Sequence, residues 1–124
     1  MNFCWLGSLS SDAKERVFAV MRDIGTQIEK CYGESNSLRA PYGAIAVGSA
    51  EFDPFIRASV LCEFLHHLRQ GATPQDAEKA TKEFARSAIA KHNSERPKDI
   101  NWQRWEGTAD HVIERAARKV LSVV

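Results

Sequence analysis

From Ser11 to Tyr32 the apolar residues Val17, Val20, Met21, Ile24, Ile28 and Cys31 recur at spacings of three and four, with Arg16, Arg22, Asp23, Glu29 and Lys30 between them. That period marks one face of an amphipathic helix. Ser10, Ser11 and Asp12 offer acceptors for the open amides of a first turn, and Gly33 suits a left-handed exit, so a helix over 11–32 is expected. The following stretch, GESNSLRAPYGAIAVGSAEF, is rich in Gly, Ser and Ala and contains Pro41. It reads as a loop over 33–52. A loop of that length is unusual in a compact domain; it is either functional or holds a short element around Ala44 to Val47.

Asp53 followed by Pro54 supplies a capping carboxylate and a residue with preset φ, and a helix over 54–70 follows. Its apolar residues Ile56, Val60, Leu61, Phe64, Leu65 and Leu68 cover roughly half the circumference, wider than the stripe of a surface helix, which makes it the central helix. Gly71 ends it. Thr73, Pro74 and Asp76 then form a Thr-x-x-Asp start for a third helix over 74–93. The expected inner face of this helix is mostly small, Ala77, Ala80, Ala85 and Ala88 with Phe84 and Ile89, so the second and third helices should pack as a tight antiparallel hairpin. After HNSERPK, Asp99 can cap a last helix over 99–122 with Trp102, Trp105, Ala109, Val112, Ile113, Ala116 and Val120 on its seam. The seam crosses Gly107 in phase, which favours one helix despite the ~1 kcal/mol that an interior glycine costs.

The expected fold is therefore all-α: one domain over 1–124, a bundle of about four main helices with a long loop between the first and second. Its core should include Val20, Ile24, Ile28, Phe64, Leu68, Phe84, Ile89 and Trp105. A chain of 124 residues is long enough to bury such a core without staples. Apolar residues at 44% and charged residues at 27% exclude disordered and membrane-spanning classes. The opening MNFCWLGSLS lacks the basic region and apolar length of a signal peptide or spanning helix, so the expected compartment is the cytoplasm and no membrane partner is expected. Cys4, Cys31 and Cys62 are odd in number and far apart, fitting neither a disulfide framework nor a Cys-x-x-Cys zinc site.

The stretch CEFLHHLRQGATPQDAEKA, residues 62–80, invites sharper readings. Glu63, His66 and His67 place a Glu-x-x-His pair on a helix, as in di-iron bundles, but those need the motif twice and it occurs once here. A DNA-reading helix-turn-helix needs a short first helix and leading residues that reach bases; the second helix is too long, and Thr73, Pro74, Gln75 and Asp76 bring an acid and no base. The hairpin reading is preferred. Cys62 has no neighbour to stabilise a thiolate, Gly48-Ser49 lacks the frame of a nucleophile elbow, and adjacent Asp110 and His111 point about 100° apart on a helix. No metal, no cofactor and no catalytic residue is expected; an enzyme with a dispersed site is the least favoured class.

Net charge is only +1, yet residues 1–53 hold five bases and seven acids while residues 77–124 hold ten bases and seven acids. On the third helix Lys79, Lys82 and Arg86 form one stripe. On the last helix Arg104, His111, Arg115, Arg118 and Lys119 fall within an arc of roughly 100°, with Glu106, Asp110 and Glu114 beyond the other flank of the seam. Two functions follow as expectations. The first is a small non-enzymatic binding or regulatory protein acting by protein association, with itself as the first partner, through Trp102, Trp105, Arg104, Arg115 and Arg118, because Trp and Arg dominate binding hot spots. In a parallel homodimer the acidic and basic flanks would meet with opposite sign. The alternative is nucleic-acid or nucleotide-phosphate binding through Lys79, Lys82, Arg86, His111 and Lys119. A short helical chain without a catalytic signature also matches the style of accessory proteins that viruses and bacterial mobile elements encode.

Overall fold

The apolar stripes find partners in one another. The computed structural model describes residues 4–39, 53–95 and 102–124, and among them the chain forms α1 (Ser11–Arg39), α2 (Asp53–Arg69), α3 (Pro74–Glu95) and α4 (Trp102–Ser122), with no strand. The all-α bundle expected from periodicity is the fold.

α1 is capped by Ser10, whose Oγ accepts from the amide of Ala13 at 3.2 Å and whose carbonyl accepts from Lys14 at 2.9 Å. It does not stop at Gly33. The helix runs on to Arg39, because a glycine weakens a helix interior by only about 1 kcal/mol and nothing in ESNSLR forces an exit as a proline would. The loop expected from residue 33 therefore begins after 39; residues 40–52, with the suspected element at Ala44 to Val47, lie outside the described residues.

α2 is the centre of the bundle and packs against each of the other three helices. Ile56, Ala58, Val60, Leu61, Phe64, Leu65 and Leu68 are all buried, as a helix apolar around roughly half of its circumference requires. It ends at Gly71, whose φ of +106° few side chains tolerate. The same glycine meets the N-terminal segment: its carbonyl accepts from Trp5 N at 3.1 Å, and a Cβ there would stand 3.4 Å from Cys4 Cα. That segment makes a short 3₁₀ turn, Leu6–Ser8, which buries Leu6 in the core.

Thr73 caps α3 as expected, its Oγ1 accepting from Asp76 N at 3.1 Å, and Pro74 is buried in the first turn. The inner face of α3 is Ala77, Thr81, Ala85 and Ile89. Thr81 satisfies its buried hydroxyl by donating to the Ala77 carbonyl at 2.6 Å. Two expected core residues of this face are corrected. Phe84 is 39% exposed and Ala88 is exposed, while Ala80 is half-buried. The buried positions advance in steps of four, so the stripe turns by about 40° per step around the helix and has moved away from Phe84 and Ala88 by the time it reaches Ile89. Val20 on α1 is half-buried and packs at the core edge.

α4 crosses Gly107 as one helix and buries Trp105, Ala109, Ile113, Ala116, Ala117 and Val120. The expected cap, Asp99, lies outside the described residues. The bundle runs up and down. Ile56 and Val60 at the start of α2 share a cluster with Ala85 and Ile89 near the end of α3, whereas Leu68 shares another with Ala77, so α2 and α3 form the antiparallel hairpin. Arg16 at the start of α1 donates through Nε to the Val123 carbonyl at 2.6 Å, tying it to the end of α4. α1 enters only one of the two core clusters, and it touches α4 far less than α2 does. A groove opens between α1 and α4, with α2 beneath.

Candidate anion-binding groove

The seam of α4 has flanks of opposite sign, and the bundle treats them differently. The acidic flank faces α3. Lys82 donates through Nζ to Glu114 Oε1 at 2.7 Å, and Arg86 donates through Nη2 to Asp110 Oδ2 at 2.8 Å. The hydrogen bond from Lys82 holds the Glu114 carboxyl below the ordinary carboxylate range, and the same bond holds the Lys82 ammonium above the ordinary lysine value. Two residues of the expected phosphate stripe are thus engaged within the molecule, and the third, Lys79, stands exposed.

The basic flank faces the gap beside α1. His111, Arg115 and Lys119 line a groove of about 550 Å³, joined by Lys30 from α1 and Arg57 from α2. All five are exposed at its rim. Ile24, Leu61, Val112 and Ala116 form an apolar floor, with Gln27, Cys31 and Pro54 completing the walls. Among the described residues no Asp or Glu lines it. Among the described residues Lys30, Arg57, Arg115 and Lys119 make no ion pair. A site so built offers Arg forks, Lys point charges and an imidazole to an anion from three helices at once.

The helical order of α4 explains half of this set. His111, Arg115 and Lys119 follow one another every fourth residue, so they form a row beside the seam. Lys30 and Arg57 lie on other helices, beyond the reach of that row. Lys30 reads as one of several outward residues of the first helix. Arg57 carried a signal, since it interrupts the apolar start of α2 on the row that leads to Leu61, but only the packing of three helices shows what it faces.

Of the residues expected to serve protein association, four have described side chains. Trp105 is 1% exposed, enclosed with Ile56, Val60, Ala85, Ile89, Ala109 and Ile113. Trp102 opens α4, and its side chain lies outside the described residues. Arg104 and Arg118 are exposed but away from the groove, and Arg115 is in it.

Glu63 Oε1 and His67 Nε2 lie 3.2 Å apart one turn along α2, with the His66 ring 5.6 Å from that of His67, edge to face. Among the described residues no group of three or more His, Cys, Asp or Glu is placed to hold a metal. No described helix is long and apolar enough to cross a membrane. Comparison of the chain with protein-family models, curated proteins and solved structures finds no match.

Proposed function

We propose that this is a small binding protein that holds a phosphate-bearing anion in the groove between α1, α2 and α4. One observation carries the reading: five basic side chains from three helices meet on one concavity whose described lining residues include no acid. Gathering like charges opposes folding, and this chain has 16 acids with which to offset them, as it does along α3 and α4. A local conflict of that kind belongs where function needs it. Association through α4 draws less support, since Trp105, its expected anchor, is in the core.

The test is equilibrium binding of a phosphate-bearing fluorophore at several salt concentrations. Affinity should fall steeply with salt, because each neutralised phosphate releases counterions. Arg57→Glu and Arg115→Glu should each weaken binding by about tenfold or more, while Arg118→Glu, outside the groove, should change it little. Absence of binding at low salt contradicts the proposal.

A further inference from the structure

Resting on the anion-binding reading, we infer that the groove's ligand is a nucleotide-sized phosphate ester, with two or more phosphoryl groups among the rim cations and an uncharged ring or short apolar body on the floor. Three features of the groove carry this.

Size comes first. About 550 Å³ falls in the range of small-molecule sites, roughly 300–1,000 Å³. From His111 to Lys119 the basic row extends about 12 Å along α4. That is more than a single phosphate needs to be held, and Lys30 and Arg57 stand across from it.

The second feature is the floor. Ile24, Leu61, Val112 and Ala116 present aliphatic surface to the same concavity and are buried or half-buried where the cations are exposed. Inorganic phosphate or a chain of phosphates leaves such a floor wet, whereas a ligand with an uncharged body covers it and gains by removing apolar area from water. Charge at the rim and aliphatic surface at the base match a ligand that is itself divided in that way.

The third feature separates a small ester from a nucleic-acid strand. Proteins that bind single strands combine a continuing basic track with aromatic platforms, over roughly 4–16 nucleotides. Apart from the His111 imidazole, the described residues of the lining include no aromatic side chain. Duplex DNA is read by elements that project into its grooves, and this site is concave.

The experiment is competition against a methylanthraniloyl derivative of ATP, using the full chain without divalent metal. The competitors are ATP, inorganic tripolyphosphate, and an oligothymidylate of roughly a dozen nucleotides. ATP should displace the probe at a concentration about tenfold or more below that of tripolyphosphate, and the oligonucleotide should be no better than ATP. Val112→Thr, which keeps side-chain shape while making the half-buried floor polar, should narrow the gap between ATP and tripolyphosphate. Gln27→Glu, which adds an acid to an exposed rim position, should weaken both together and leave folding unchanged. Equal potency of ATP and tripolyphosphate overturns this inference while leaving the anion site standing. An oligonucleotide about tenfold stronger than ATP overturns it in favour of a strand. Affinity untouched by Gln27→Glu places the ligand elsewhere and overturns it as well. A probe that does not bind even at low salt removes the anion-binding reading itself.

Discussion

Lys82 on α3 and Glu114 on α4 are joined at 2.7 Å, one turn from the 2.8 Å contact of Arg86 with Asp110. Lysine and arginine on one helix meet glutamate and aspartate on the next, and Asp110 and Glu114 of α4 are thereby turned toward α3. Of its charged and basic residues, His111, Arg115 and Lys119 line the groove beside α1. A charge pattern that in sequence resembles a self-complementary dimer surface is, on one flank, the internal joint of a helix pair.

The joint has a pH signature. Glu114 has its pKa lowered by folding, so its contribution is full above the ordinary carboxylate value and disappears as pH falls through the lowered one. Lys82 has its pKa raised, so its contribution is full below the ordinary lysine value and disappears as pH rises through the raised one. The stability difference between the native chain and Glu114→Gln, measured by urea unfolding, should therefore be flat between roughly pH 5 and pH 10 and shrink beyond both ends. Because both groups are largely in water, the difference should be small and reduced by salt.

Core register on α2 and α3 predicts contrasting alanine variants. Leu68 is fully buried at the centre, and Leu68→Ala should cost about 2–5 kcal/mol. Phe84→Ala, despite removing a larger side chain, should stay within about 1 kcal/mol because the ring is 39% exposed. Denaturant midpoints at constant slope check both.

Two glycines should respond to alanine with opposite sign. At Gly71 the φ of +106° and the nearby Cys4 backbone oppose a side chain, and Gly71→Ala should destabilise by about 1–2 kcal/mol. At Gly107, inside α4, a Cβ meets nothing within 4 Å, and Gly107→Ala should stabilise by about 0.5–1 kcal/mol. Thermal unfolding of the two variants gives the sign directly.

Helix number and type were legible because each helix carries its own period and, for α3, its own cap in Thr73. The end of α1 was not, since Gly33 permits an exit without enforcing one. The exposure of Phe84 is not legible in the sequence, because the direction in which a neighbouring helix crosses decides which apolar residues of a rotating stripe are covered. Leu6 gives no signal in the sequence, as a single 3₁₀ turn has no period to read; its burial depends on the α2–α3 turn to which Trp5 is hydrogen-bonded. The groove was half legible: His111, Arg115 and Lys119 lie on one helix row, but Lys30 and Arg57 come from other helices, and only tertiary packing brings them beside it.

The central claim is that these five side chains form one anion site. Amide and side-chain NMR spectra of the isotope-labelled chain, titrated with ATP at low salt, test it residue by residue. Shift changes should concentrate at Lys30, Arg57, His111, Arg115 and Lys119 with the floor beneath them, and should vanish in an Arg57→Glu/Arg115→Glu double variant that keeps its fold. Changes spread evenly over exposed cations such as Lys79, Arg104 and Arg118, or no change at all, would contradict the account.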